Sequence, residues 1–177
     1  MSKQTGERKI NPQLVFYLLL ALSIFLVDQL IKQSLALSFL PGQGFPIVKK
    51  IFHITLVFNR GIAFGLFPNF PLPFLIIGIV TFVLFFFIQN GLNKGSKLAI
   101  SLISAGTLSN FFDRVRFGYV IDYLDFRIWP VFNLADVAIS LSIILLLWQL
   151  IKHRSGGRNS EYNDVPHTFP YRSDKCI

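Results

Sequence analysis

Acidic residues, histidine and cysteine are all scarce in this chain of 177 residues. It carries nine Asp+Glu against 17 Lys+Arg, with three His and one Cys. The lone Cys176 excludes an intrachain disulfide framework, a thiolate zinc cluster and a Cys-x-x-Cys redox pair. The ending Asp174-Lys175-Cys176-Ile177 is not a prenylation box, which begins with Cys. His53, His153 and His167 form no His-Glu-x-x-His motif, so a zinc peptidase is not expected. There is no Gly-x-Ser-x-Gly elbow and no glycine-rich phosphate loop. Charged residues make up only 15%, against about 25% in an average soluble domain. What the chain has in abundance is apolar: 53% hydrophobic residues, 20 Phe and a mean hydropathy of +0.56. This composition excludes a disordered, collagen-like or coiled-coil chain and points to an integral membrane protein. The net charge of +8 reads as positive-inside loops and anionic lipid headgroups, because the basic residues flank apolar runs. No basic stripe with interleaved aromatics is present, so nucleic acid is not an expected partner.

Four apolar runs can be read directly, at 10–27, 72–88, 98–112 and 137–151. The helical pattern of the first continues through Asp28 and Lys32 to about residue 37. A hydrocarbon core of about 30 Å needs about 20 helical residues. The last two runs reach that length only by taking in polar residues: Asp113 and Arg114 for one, Asn133 and Asp136 for the other. The first run also has the basic start of a signal peptide, but Asp28 and Lys32 before the weak Ser34-Leu35-Ala36 signal favour a retained helix. The expected fold class is an all-α integral membrane protein of four transmembrane helices, with a small extracytoplasmic β-sheet on the membrane surface. Its parts are a tail at 1–13, a membrane domain at 14–151 and a polar, irregular tail at 152–177. Both termini are expected on the cytoplasmic side, where eight basic residues flank the spans against six on the other. The far side receives segments 38–71 and 113–136. Within the first, the β-branched and aromatic run 51–58 ends at Asn59-Arg60-Gly61 and reads as a strand and turn.

Ionisable groups inside a membrane are costly and are functional candidates by default. Asp28 and Lys32, four apart, share a helix face and suit an ion pair or a positioning role. Asn110, Asp113 and Arg114 share a face at the end of the third run, and Asn133 and Asp136 at the start of the fourth. Asp122 and Asp125 lie on the segment between. Topology thus gathers Asp28, Asp113, Asp122, Asp125 and Asp136 at one membrane surface, each of which could alone be a cap or an interfacial hydrogen bond. Two close carboxyls can share one proton, one acting as acid while the other activates water. A proton-coupled transporter and a non-enzymatic membrane assembly factor are the alternatives that carboxylates leave open.

Five pieces, in order, carry a resemblance: Asp28-Gln29-Leu30-Ile31-Lys32; Asn59-Arg60-Gly61-Ile62-Ala63-Phe64-Gly65; Asn110-Phe111-Phe112-Asp113-Arg114; Gly118-Tyr119-Val120-Ile121-Asp122-Tyr123; and Phe132-Asn133-Leu134-Ala135-Asp136. Over about residues 14–150 the chain resembles the bacterial lipoprotein signal peptidases, or signal peptidase II. The resemblance implies a four-helix inner-membrane aspartic peptidase with both termini cytoplasmic and its active site near the outer face. Such an enzyme cleaves diacylglyceryl-modified prolipoproteins just before the lipidated cysteine and is blocked by globomycin. The resemblance makes Asp122 and Asp136 the catalytic pair. It makes Asn59, Arg60, Gly61, Asn110, Arg114 and Asn133 substrate-binding or dyad-orienting, with Asp28, Lys32 and Asp113 in support. No metal or cofactor is implied. The partners are lipid-modified prolipoproteins and membrane lipids, and the expected state is a monomer. One departure is that Ala105-Gly106-Thr107-Leu108-Ser109-Asn110 stands where the family has paired glycines and Gly-Asn.

Overall fold

The structure, a computed structural model, describes residues 12–61 and 92–163. The second apolar run, 72–88, lies outside the described residues, as do Ile62 to Gly65 of the second motif piece. The elements in order are α1 (Pro12–Ser38), β1 (Gly44–Val48), β2 (Phe52–Asn59), α2 (Lys94–Phe117), β3 (Val120–Asp125) and α3 (Leu134–Asn163).

Helix α1 opens on proline, whose fixed φ suits a first helical position. It closes before the Pro41-Gly42 turn, where Gly42 takes φ 84 and donates its N–H to the carbonyl of Leu56 at 2.8 Å. Helix α2 is bracketed by its caps. The Asn93 side chain accepts the Ser96 N–H at 2.8 Å, and Gly118, left-handed at φ 77, returns its N–H to Arg114. Gly118 leads directly into β3.

Among the described residues two helices are long and apolar enough to cross a membrane: Pro12–Ser38, of mean hydropathy 2.3, and Leu134–Lys152, at 2.2. Their large apolar side chains point outward. Phe16 is 60% exposed, Leu30 64% and Ile144 61%. Helix α2 packs against both, and its buried positions are small or polar: Ala99, Ser101, Ser104, Ala105, Gly106, Thr107 and Ser109. Small residues let helix backbones approach closely, and here Ser101 donates its hydroxyl to the Tyr17 carbonyl of α1 at 2.7 Å. Gly106 sits so close to α3 that a Cβ there would meet the backbone of Ala135 and the side chain of Ile139. The polar residues are thus inside and the apolar ones outside, an arrangement suited to lipid.

The three strands form one antiparallel sheet in the order β1-β2-β3. Strand β2 matches the expected run closely. Strand β1 is an exposed edge holding Pro46, a position that tolerates a missing donor. Segment 113–136 gives more order than its short apolar pieces suggest, because β3 pairs with β2 from Asn59↔Val120 to His53↔Asp125. Helix α3 also differs from expectation, continuing past residue 151 to Asn163.

Candidate active site

Two groups of carboxylates stand at the junction of the three helices and the sheet. The first is sealed. Asp28, Lys32 and Asp113 are each 0% exposed. Lys32 has three N–H donors, and each finds an oxygen: Asp28 Oδ2 at 2.7 Å, Asp113 Oδ2 at 2.8 Å and Asn110 Oδ1 at 3.0 Å. Asp28 also accepts the Ser109 hydroxyl at 2.7 Å and the Tyr123 hydroxyl at 3.0 Å. Asp113 takes the Gln29 amide at 2.8 Å and the backbone N–H of Ile121 at 3.2 Å. Buried charges persist only when paired and hydrogen-bonded, and here every carboxylate oxygen has a donor. The trio ties α1 to α2 and holds the start of β3.

The second group faces a cavity of about 620 Å³. Asp122 comes from β3 and Asp136 from the first turn of α3, and both line it. Neutral amides hold the four oxygens. Asp122 accepts Asn133 Nδ2 at 2.7 Å and Asn59 Nδ2 at 2.9 Å. Asp136 accepts Asn110 Nδ2 at 2.8 Å and the backbone N–H of Asn133 at 3.2 Å. Asn133 is also the N-cap of α3, its Oδ1 accepting the Asp136 N–H at 2.9 Å. The two residues form a reciprocal capping box with Asp in the place of the usual Glu or Gln. Helix-start chemistry therefore places Asp136, and strand alternation turns Asp122 toward the same wall.

The asparagines have fixed orientations. Asn110 Oδ1 accepts from both Lys32 and Asn133, so its Nδ2 is left to face Asp136. Burial, and next the nearby Asp136, push the Asp122 carboxyl up from its ordinary 3.8 to about 7. Arg114 lines the same cavity and donates to the Gly61 carbonyl at 3.1 Å, in the field of Asp136, Asp122 and Asp113. Trp129, Pro130, Val131 and Leu141 supply apolar wall.

The structure brings together all but one of the residues expected at the site. Gly61 takes part through its backbone, its N–H bonded to Asn59 Oδ1 at 3.0 Å. Arg60 is exposed and outside the cavity lining. Asp125 is turned to the opposite face of β3. There its oxygens take the Arg127 N–H at 2.8 Å, the Thr55 hydroxyl at 2.9 Å and the Arg127 guanidinium at 3.1 Å. Burial raises the Asp125 carboxyl, but these donors together hold it below its ordinary range. Gln29, Ser109 and Tyr123 had no role from spacing alone, because their partners lie 80 to 95 residues away in sequence. Among the described residues no group of three or more His, Cys, Asp or Glu could hold a metal ion.

Residues 20–152 match the family model for signal peptidase II. The chain belongs to that family. It is 41% identical over 138 residues to the lipoprotein signal peptidase of Moorella thermoacetica, covering 76% of this chain and 92% of the relative. It is 42% identical over 136 residues to that of Halothermothrix orenii, covering 74% and 94%. A solved bacterial membrane enzyme, determined by the in meso method at 2.3 Å, superposes with a TM-score of 0.74. That match has 29% identity and covers 87% of this chain and 94% of the other. A second, at 1.9 Å, gives 0.70 at 31% identity over 77% and 93%.

Proposed function

We propose that this chain is a membrane-embedded aspartic endopeptidase that removes the signal peptide from diacylglyceryl-modified prolipoproteins, cutting just before the lipidated cysteine. The observation that carries the reading is the convergence of Asp122 and Asp136, from separate elements, on one cavity wall under neutral amide donors. Four spans are inferred, with 72–88 as the second and both termini cytoplasmic. The sheet then lies at the outer face, and a monomer suffices because one chain supplies both acids. Membrane lipids would meet the outward leucines and isoleucines of α1 and α3.

At neutral pH the pair shares a proton, and Asp122, pushed up to about 7, carries it. Asp136 takes a proton from water as the water oxygen attacks the scissile carbonyl carbon, while Asp122 gives its proton to the carbonyl oxygen. The tetrahedral carbon then collapses. Asp136 passes its proton to the leaving nitrogen, the C–N bond breaks and Asp122 recovers its own. Arg114, bonded to the Gly61 carbonyl, lines the route of the substrate chain, and the apolar walls limit water at the bond.

The test is cleavage of a lipidated precursor by purified variants. Asp122→Asn and Asp136→Asn should each lower turnover at least ~10³-fold, as loss of an acid or base that acts in the transition state does. Both should still insert in the membrane. Wild-type turnover in either variant overturns the assignment.

A further inference from the structure

Tyr123 follows Asp122 on β3, so strand alternation turns its ring away from the cavity. The ring is 2% exposed. Its hydroxyl makes two hydrogen bonds of opposite sense: it donates to Asp28 Oδ1 at 3.0 Å and accepts the backbone N–H of Leu134 at 3.1 Å. Leu134 is the first residue of α3, and the N–H groups at a helix start have no partner within the helix. Asn133 covers the N–H of Asp136, and Tyr123 covers that of Leu134. One first turn is capped from two elements. Burial, together with the adjacent Asp28, pushes the phenol well above its ordinary range. The hydroxyl therefore keeps its proton, and with it the direction of both bonds.

We propose that Tyr123 is a positioning residue for the aspartate pair, clamping the first turn of α3 to α1 through Asp28 and so fixing where Asp136 stands relative to Asp122. The sealed trio then reaches Asp136 by two arms. One runs from Lys32 through the Asn110 amide to the Asp136 side chain. The other runs from Asp28 through Tyr123 to the backbone two residues before it. Helix ends fray unless they are held, and a carboxylate in the first turn moves with them. Because Asp122 and Tyr123 are neighbours on one strand, a shift of β3 carries one acid and the clamp on the other together. Spacing between the two acids is thereby protected against motion of the sheet.

The proposal rests on the reading of Asp122 and Asp136 as the reacting pair, and the experiment separates the two. Tyr123→Phe, in the full-length protein, keeps the ring and removes the hydroxyl. Two quantities are measured: kcat and KM on a lipidated precursor, per active site, and hydrogen exchange at the amides of Leu134 to Asp136. The expected result is a kcat lower by about 5- to 30-fold with KM within about twofold, as for a reacting group displaced by a fraction of an ångström. Amide exchange in the first turn of α3 should rise at least ~10-fold, with β2 unchanged. Either readout left at the wild-type value overturns the clamp, as does a loss of activity accounted for by fewer folded molecules. If Tyr123→Phe does not fold, Leu134→Pro removes the same hydrogen bond from the other side, at a position where proline is favoured, and is measured by the same kinetics and by exchange at the amides of Ala135 and Asp136. Exchange reports on the clamp without reference to turnover. Wild-type activity in Asp122→Asn or Asp136→Asn would sink the dyad and leave that readout standing.

Discussion

Two sets of aspartates are linked through Asn110 in this fold and are treated in opposite ways. Asp28 and Asp113 share one lysine, are wholly buried and have every oxygen occupied by a donor. Asp122 and Asp136 stand against a cavity with amides, among the described residues, on their oxygens. Lys32 in contact locks Asp28 and Asp113 into ion pairs. Burial, and next the like charge of Asp136, push the Asp122 carboxyl up to about 7 against the downward pull of its amide donors. Residue type does not separate the two sets; the position of Lys32 does. The sealed set is a brace, and the open set is available for chemistry.

The comparison can be broken from either side. Beyond the loss of turnover expected for the open pair, the largest effect on stability should come from Lys32→Met. It leaves Asp28 and Asp113 buried together without a cation, and removing one partner of a buried pair costs about 3–5 kcal/mol. Thermal unfolding in detergent checks this, and a melting temperature equal to wild type would mean that the trio braces nothing. Next is Gly106→Ala. The added methyl would push on Ala135, between Asn133 and Asp136. Overpacking of this kind costs about 1–3 kcal/mol, and turnover should fall by more than the folded fraction does. Active-site titration beside a turnover assay separates the two losses.

The smallest expected effect concerns pH and stability. A carboxyl whose folded pKa is raised adds stability below its unfolded value, near 3.8, and loses it as pH rises through about 7. Asp122→Asn, which cannot ionise, should therefore melt higher than wild type at pH 8, by a few degrees. The difference should vanish at pH 4. Identical melting at both pH values would show that Asp122 is not held near a charged neighbour in a dry site.

Much of this was legible in the sequence because it is local. Asp28 and Lys32 are one helical turn apart, and Asn133 and Asp136 are a cap and its third residue, so spacing alone implies each pair. The run 51–58 is β-branched and aromatic, and it became β2. What could not be read was non-local. The sharing of Lys32 with Asp113, the Gln29 and Ser109 contacts and the Tyr123 clamp all join residues more than 75 positions apart. Strand β3 needed β2 as a template, so its order was hidden in short apolar pieces. The choice between Asp122 and Asp125 depended on strand alternation, which assigns them to opposite faces once β3 exists. Arg60 was carried by its place in a motif, and the backbone of Gly61, rather than the Arg60 side chain, meets the site. Ser109 stands where the resemblance expects glycine, and it fills that space with a donor to Asp28.

The most direct test sets one acid of each kind side by side. Asp122→Asn and Asp113→Asn are purified, their melting temperatures recorded, and single-turnover cleavage of a lipidated precursor measured at equal amounts of folded protein. The account predicts that Asp122→Asn folds normally and cleaves at least ~10³-fold more slowly. It predicts that Asp113→Asn melts lower, while its folded fraction cleaves within about tenfold of wild type. A folded, stable and inactive Asp113→Asn, or an Asp122→Asn that cleaves at the wild-type rate, would contradict it.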